Sequence, residues 1–417
     1  MMTKPVAIVL GGTVPHKFLI ENLKKRGYKT ILIDYYENPP AASIADVHIK
    51  ESALDACIVE KIAQKNDAAL VICAALDQPL PVSITVSEKL NLPIPFNSEV
   101  AYNLTNKSAM KRVMKKTGIP TPEWHCVETM EDAYAHSIPL PFIVKPEDGT
   151  GSKGITIVEN EQNFEEALQL AFNASMNGKI IIEEFFNGLE LSVDCVVKEG
   201  VSKVILFRER HKCDKNGSAK GTQCVATISP ANIPESTKKS ITKIMSLIAN
   251  AFNVKNGVLL AQLIIKSNQQ VTILEIAGRV SGGPGGFVAV KKKTGIDMLD
   301  IFLRAYLGEE INITINDDSR HYITGSLYCS EGILGSFINF EELIKAKIVD
   351  GLFLYKNRGE EVSHEFSTKS RVAGFSISAD SRNELKEKIN TMYNQCDILD
   401  KTGKSIFLRQ VGVHKCL

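Results

Sequence analysis

The sequence predicts an α/β protein made of more than one domain. Three observations carry that prediction. Residues 6–90 alternate short apolar runs with helical patterns, which is the mark of a parallel sheet covered by helices. Two later stretches, around 141–158 and 258–276, read as strand pairs joined by turns. A chain of 417 residues also exceeds what one hydrophobic core usually organises.

Composition narrows the class. Lys and Arg total 49 against 48 Asp and Glu, a net charge of +1, so no global field argues for nucleic acid or an anionic membrane surface. Val6–Leu10 is too short for a signal or membrane-spanning segment. Nine cysteines are scattered without C-x-x-C spacing or a His/Cys cluster that would make a zinc site. A reduced, cytoplasmic, soluble protein is expected, with no membrane or nucleic-acid partner.

In chain order, Val6–Leu10 is a buried-strand pattern entering Gly11-Gly12-Thr13, followed by a helix to about Arg26 that Gly27 ends. Thr30–Asp34 is the next strand. Leu54–Gln64 (helix), Ala69–Cys73 (strand) and Val82–Leu90 (helix) continue the alternation. Gly12 lies in a turn that is either purely structural or a seat for a small substrate. One helix is expected from about Ser98 to Thr117, capped by Gly118 and carrying Lys107, which by itself reads as one solvated lysine among several. Thr129 and Asn163 resemble N-caps of two short helices.

Between those helices lies P-F-I-V-K-P-E-D-G-T-G-S-K-G, residues 141–154. A strand ends at Lys145, a glycine-rich turn follows, and Ile155–Val158 returns. Gly149, Gly151 and Gly154 let a backbone approach a ligand closely, and bare N–H groups there, with Ser152, suit phosphate oxygens. Lys145 adds a point charge. Here the lysine precedes the glycines and β-structure follows them, unlike a Walker A loop. The bland alternative is an ordinary glycine hairpin.

Ile180–Glu184 ends in Glu183-Glu184 beside Phe185-Phe186, with Glu190 beyond a glycine turn. These residues form either an exposed strand end or a purine slot whose carboxylate meets ribose hydroxyls. Leu191–Val197 and Val204–Phe207 are strands, and His211–Thr222 reads as a polar loop or a mobile lid, with His211 as a solvated residue or a base. Glu235–Phe252 is an amphipathic helix. In the hairpin Val258–Ile265 and Val271–Ile276, Gln262 and Glu275 offer oxygen ligands to Mg²⁺. Arg279 follows, suited to a transferring phosphoryl group or a substrate carboxylate, and then comes the glycine-rich turn Ser281-Gly282-Gly283-Pro284-Gly285-Gly286.

Taken together, these segments resemble the ATP-grasp superfamily over almost the whole chain. N-K near 107, V-K-P-E-D-G-T-G-S-K-G, I-I-E-E-F-F-N-G-L-E-L-S and Gln262 followed by L-E-I-A-G-R fall in the family's order. The resemblance implies a Rossmann-like preATP-grasp domain (1–97), an ATP-grasp domain (98–317, with a small subdomain at about 112–187) and a C-terminal closing domain (318–417). It further implies that Lys107 and Lys145 neutralise ATP phosphates, that residues 149–154 cover them, and that Glu183, Glu184, Phe186 and Glu190 hold the nucleoside. Gln262 and Glu275 would bind Mg²⁺, with Mn²⁺ as an alternative ion, and Arg279 and Lys145 would be catalytic. Gly12, His211, Ser281, Gly282 and Gly283 are substrate candidates. Ala277 departs from the family's E-x-N-x-R pattern, which leaves a second metal without its asparagine.

The implied chemistry is ADP-forming and C–N-bond-forming: a carboxylate becomes an acyl phosphate and an amine attacks it. An amino acid or amino-acid-like substrate is expected, since similar hairpins lacking the asparagine occur in amino-acid ligases. Two alternatives stand beside it: a purine-pathway ligase or carboxylase acting on a phosphoribosyl compound, and a non-catalytic ATP-binding regulator. Similar members are often homodimers.

Overall fold

The structure, a computed structural model, describes residues 4–149, 151, 153–218 and 221–415. Its first unit is a four-stranded parallel sheet: β1 (Val6–Leu10), β2 (Lys29–Ile33), β3 (Val47–Ile49) and β4 (Ala68–Ile72), in the order β3-β2-β1-β4. Helices α1 (Val14–Lys25), α2 (Ala56–Lys65) and α3 (Pro79–Lys89) alternate with these strands. The chain leaves β1 toward β2 on one side and toward β4 on the other. The loops after β1 and β4 therefore flank the switch point, where open α/β sheets place their ligands.

The helix expected over 98–117 is two helices. α4 (Ser98–Thr105) stops at Asn106, whose side chain accepts from the Ala109 N–H and starts α5 (Lys107–Thr117). An Asn that bonds the backbone two or three residues ahead favours a new N-terminus over a continuing helix. Thr129 caps the next helix, Met130–Tyr134, by accepting from the Asp132 N–H, whereas Asn163 makes no side-chain cap at Phe164–Ala174.

The small clamp sheet contains β5 (Trp124–Val127), β6 (Phe142–Pro146), β7 (Thr156–Val158) and β8 (Ile180–Glu184), in the order β5-β8-β6-β7. Its core is Phe142, Val144, Val158, Phe164, Leu168 and Ile182.

The large sheet starts with β9 (Leu189–Lys198), β10 (Val201–Cys213), β11 (Gln223–Ser229), β12 (Gly257–Ile265) and β13 (Val271–Ala277). Beyond the helix Met298–Leu307, β14 (His321–Tyr328) pairs with β11. The rest comprises β15 (Gly332–Ile338), β16 (Gly351–Leu354), β17 (Glu361–Val362), β18 (Arg371–Ala379) and β19 (Asp397–Asp400). The order β13-β12-β9-β10-β11-β14-β18-β16 makes one eight-stranded ladder, and β17-β15-β19 form a separate edge sheet. The hydrogen-bonded ladder thus runs unbroken from the second segment of the chain into the third.

His211 corrects the sequence reading. It belongs to β10, not to a loop, and pairs with Ala226 of β11 next to a bulge. The strand is read as ending at Phe207 and the loop as starting at His211 because the charged run Arg208–Lys212 lacks apolar alternation. In the fold Arg208, Arg210 and Lys212 reach across to carboxylates of β9, Asp194 and Glu190.

Candidate active site

The site is built around one buried carboxylate. Ile143 of β6 and Glu183 of β8 are direct partners, so Lys145, two residues on, points to the same face as Glu183. Lys145 pairs with Glu183 Oε1, and Lys111 Nζ pairs with Oε2 at 2.6 Å. Side-chain exposures of 1 % for Lys111 and 3 % for Glu183 put this triad out of water. Burial alone would raise the Glu183 carboxyl, but the two ammonium groups outweigh it and hold the pKa at about 2. Burial and the like charge of Lys145 push Lys111 below the ordinary lysine range, against the pull of Glu183. Two ammoniums share one carboxylate, leaving net positive charge beside the glycine turn.

Lys107 and Lys111 are four residues apart and share a face of α5. Lys107 Nζ donates to the carbonyls of Glu147 (3.1 Å) and Gly149 (2.6 Å), tying down the root of the glycine turn. Gly151 and Gly154 have φ of +66° and +67°, which glycine adopts without strain. Gly151 lies against the C-terminal segment: a Cβ there would come within 2.6 Å of Thr368 Cγ2. Ser152 lies outside the described residues.

At the hinge, the Glu184 carboxylate accepts from the Glu123 N–H at 2.9 Å, and Lys266 Nζ lies 3.4 Å from the centre of the Phe186 ring. Glu190 on β9 is buried. Arg210 Nε donates to its Oε1 at 2.6 Å and Lys212 pairs with Oε2. Burial opposes ionisation there, but Arg210 and Lys212 draw the pKa below the carboxylate range.

The opposite wall is the β12–β13 hairpin. Gln262 and Glu275 are direct register partners, so their side chains leave the same face side by side. Both are half-buried, and among the described residues neither side chain has a hydrogen-bond partner. Ala277, buried on the same strand, offers no oxygen. Arg279 Nε donates to Asp77 Oδ1 at 2.5 Å, its second fork arm pairs with Oδ2, and Nη1 donates to its neighbour's carbonyl, Val280 O, at 3.0 Å. Burial would lower the Arg279 pKa, but Asp77 raises it on balance. Asp77 lies in the loop after β4, so the first domain positions this arginine. The sequence reading did not single out Asp77 or Lys111. Asp77's place beyond the carboxyl end of a switch-point strand was the available signal, and for Lys111 it was the four-residue spacing from Lys107.

The substrate candidates divide. Gly12 packs on Pro39 and its N–H donates to Asp34 Oδ2 at 2.6 Å, so that N–H is committed to a structural turn. His211 Nε2 lies 3.7 Å from Glu209 Oε2. Ser281, Gly282 and Gly283 lie beyond Arg279, and a Cβ on Gly282 would stand 3.3 Å from Ala75 O, beside the Asp77 loop. Two shallow surface depressions, one around Met130 and Phe172 and one around Ile58 and Lys65, contain none of these residues.

Residues 105–284 match the family model for the phosphoribosylglycinamide synthetase ATP-grasp (A) domain. That span holds both lysines, the glycine turn and the Gln262–Arg279 hairpin. Residues 105–284 are therefore an ATP-grasp domain. It is 25% identical over 297 residues to the L-arginine-specific L-amino acid ligase of Bacillus subtilis, covering 69% of this chain and 70% of the relative. Its fold matches the L-amino acid ligase structure from Bacillus licheniformis with a TM-score of 0.80 at 20% identity, over 96% of this chain and 99% of that one. The phosphoribosylglycinamide synthetase structure from Anaerococcus prevotii matches at 0.74 and 18% identity, over 96% and 100%. This ATP-grasp chain is a ligase of the ADP-forming, C–N-bond-forming type, using ATP and Mg²⁺.

The donor set fits those cofactors. Gln262 and Glu275 present oxygens with no hydrogen-bond partner among the described residues, where no cluster of three or more His, Cys, Asp or Glu able to hold a metal occurs. That suits Mg²⁺, which keeps waters and takes phosphate oxygens alongside one or two protein ligands.

Proposed function

We propose that this protein is an ATP-dependent carboxylate–amine ligase that acts on an amino acid or amino-acid-like substrate through an acyl phosphate. The observation that carries the substrate class is the full-length likeness to an L-amino acid ligase fold, together with the curated amino-acid ligase relative. In this reading Lys145 and Lys107 stand at the phosphates, with Glu183 and Lys111 fixing where the Lys145 charge sits. Gln262 and Glu275 hold the metal, which supplies positive charge to phosphate oxygens. Arg279, held by Asp77, stabilises charge developing on the transferring group and the carbonyl. Gly149, Gly151 and Gly154 carry a turn that screens the site from water, so that an acyl phosphate survives until the amine arrives. Glu184, Phe186 and Glu190 line the nucleoside end. No helix among the described residues is long and apolar enough to cross a membrane; the nine cysteines, scattered without C-x-x-C spacing, support a reducing cytoplasmic setting.

The second reading, a phosphoribosyl substrate, rests on the family model. It requires phosphate donors from the first domain, and the Gly12 N–H is already spent on Asp34. Phosphate release from MgATP, measured against single and paired L-amino acids and followed by mass spectrometry, tests the proposal. Release that requires an amino acid, with a condensed product, supports it. Release with phosphoribosyl compounds alone moves the chain to the second reading, and MgATP binding without turnover on any acceptor makes it a regulator.

A further inference from the structure

Arg371 opens β18 and is the register partner of Tyr328 on β14. Its guanidinium carbon lies 5.7 Å from the centre of the Tyr355 ring. Arg208, Arg210, Arg279 and Arg382 each grip a carboxylate. Arg371 grips none among the described residues, and its buried Nε has no hydrogen-bond partner. Gln223 Oε1 also lacks a partner in the same neighbourhood, and the Tyr355 hydroxyl beside it has Ser326 as its one side-chain partner among the described residues, which leaves it further hydrogen-bonding capacity. Gln223, Arg371 and Tyr355 all gather around Tyr328, whose hydroxyl donates to Cys224 O at 3.3 Å. Buried donors and acceptors normally find partners, so two unpaired polar atoms and a phenol hydroxyl with spare capacity around one tyrosine call for a ligand.

Location says which ligand. Gly374, three residues after Arg371, packs on the turn that follows Arg279: a Cβ there would come within 2.7 Å of Pro284 Cγ. Thr368, three residues before Arg371, packs on Gly151 of the glycine turn. Arg371 is therefore bracketed by contacts to the two parts of the site that surround the reacting groups. A planar guanidinium beside a phenol hydroxyl matches a carboxylate in geometry and charge. An amide oxygen close by can accept from an N–H of the same molecule.

We propose that Arg371 and the Tyr355 hydroxyl anchor the carboxylate of the amine-bearing substrate, with Gln223 Oε1 accepting from its amino group. This rests on the amino-acid ligase reading and adds a specificity determinant to it: the acceptor must carry a free carboxylate.

The test is calorimetric titration of the full-length protein, with MgADP present, against each L-amino acid, its carboxamide, and ribose 5-phosphate. At least one free amino acid binds the wild type, and Arg371→Met weakens it about 10- to 100-fold, the range for losing a charge-assisted pair. The matching carboxamide binds both proteins equally weakly, and MgADP affinity is unchanged. Tyr355→Phe, which removes one hydroxyl, weakens the same amino acid about 3-fold and decides the matter if Arg371→Met fails to fold. An amino acid bound equally by wild type and both variants overturns the anchor while leaving the ligase reading intact. Binding of ribose 5-phosphate alone, or of nothing, overturns both.

Discussion

Glu183 and Glu275 are both strand carboxylates lining the same clamp, yet the protein treats them oppositely. Glu183 is closed in, with each oxygen on a lysine. Glu275 is half-buried beside Gln262 and keeps its oxygens open. A paired buried carboxylate positions its partners, whereas an unpaired accessible one is available to a metal. The residue type is identical, and the partners set the role.

The largest effect that would break this contrast is in stability. Glu183→Gln leaves Lys111 buried without its counter-charge and is expected to cost about 3–5 kcal/mol in denaturant unfolding. A loss below about 1 kcal/mol would show that Glu183 is not structural. Glu275→Gln should instead spare the fold and lower phosphate release about 10²- to 10³-fold, with a raised Mg²⁺ requirement, on the scale of removing one preorganised stabilising group. Unchanged turnover would remove Glu275 from the metal site.

Acid sharpens the contrast further. The Glu183 pKa is depressed to about 2, against about 4.3 in an unfolded chain. Its contribution to stability is therefore complete above the unfolded value and lost as pH falls from there toward 2. Stability measured across that window should fall in the wild type and fall less steeply in Glu183→Gln. Equal slopes would assign the acid sensitivity to other carboxylates. The smallest effect is at Asp77, which touches Arg279 and no reacting group. Asp77→Asn keeps one hydrogen bond and should lower kcat about tenfold with little change in the KM for ATP. An effect confined to KM would make Asp77 part of substrate binding.

Local patterns were legible and long-range partners were not. The hairpin of residues 142–158, the β12–β13 hairpin and the α/β alternation of the first sheet follow from apolar period, glycines and turn residues. The helix break at Asn106 was missed because helical periodicity continues through it while the capping bond interrupts it. β10 was cut short before His211 because its last residues are charged. They are strand residues all the same, since Arg210 and Lys212 reach across to Glu190 on the neighbouring strand.

By itself the sequence determined the order of the motifs and the residue types at the proposed phosphate and metal positions, because turn chemistry and side-chain period act over a few residues. Only the tertiary structure decided that Lys111 and Lys145 share Glu183, that Asp77 in the loop after β4 holds Arg279, and that Thr368 packs on the glycine turn and Gly374 on the turn after Arg279. Those pairings join residues far apart in the chain. They depend on strand register and on how separate sheets meet, and no local spacing encodes either.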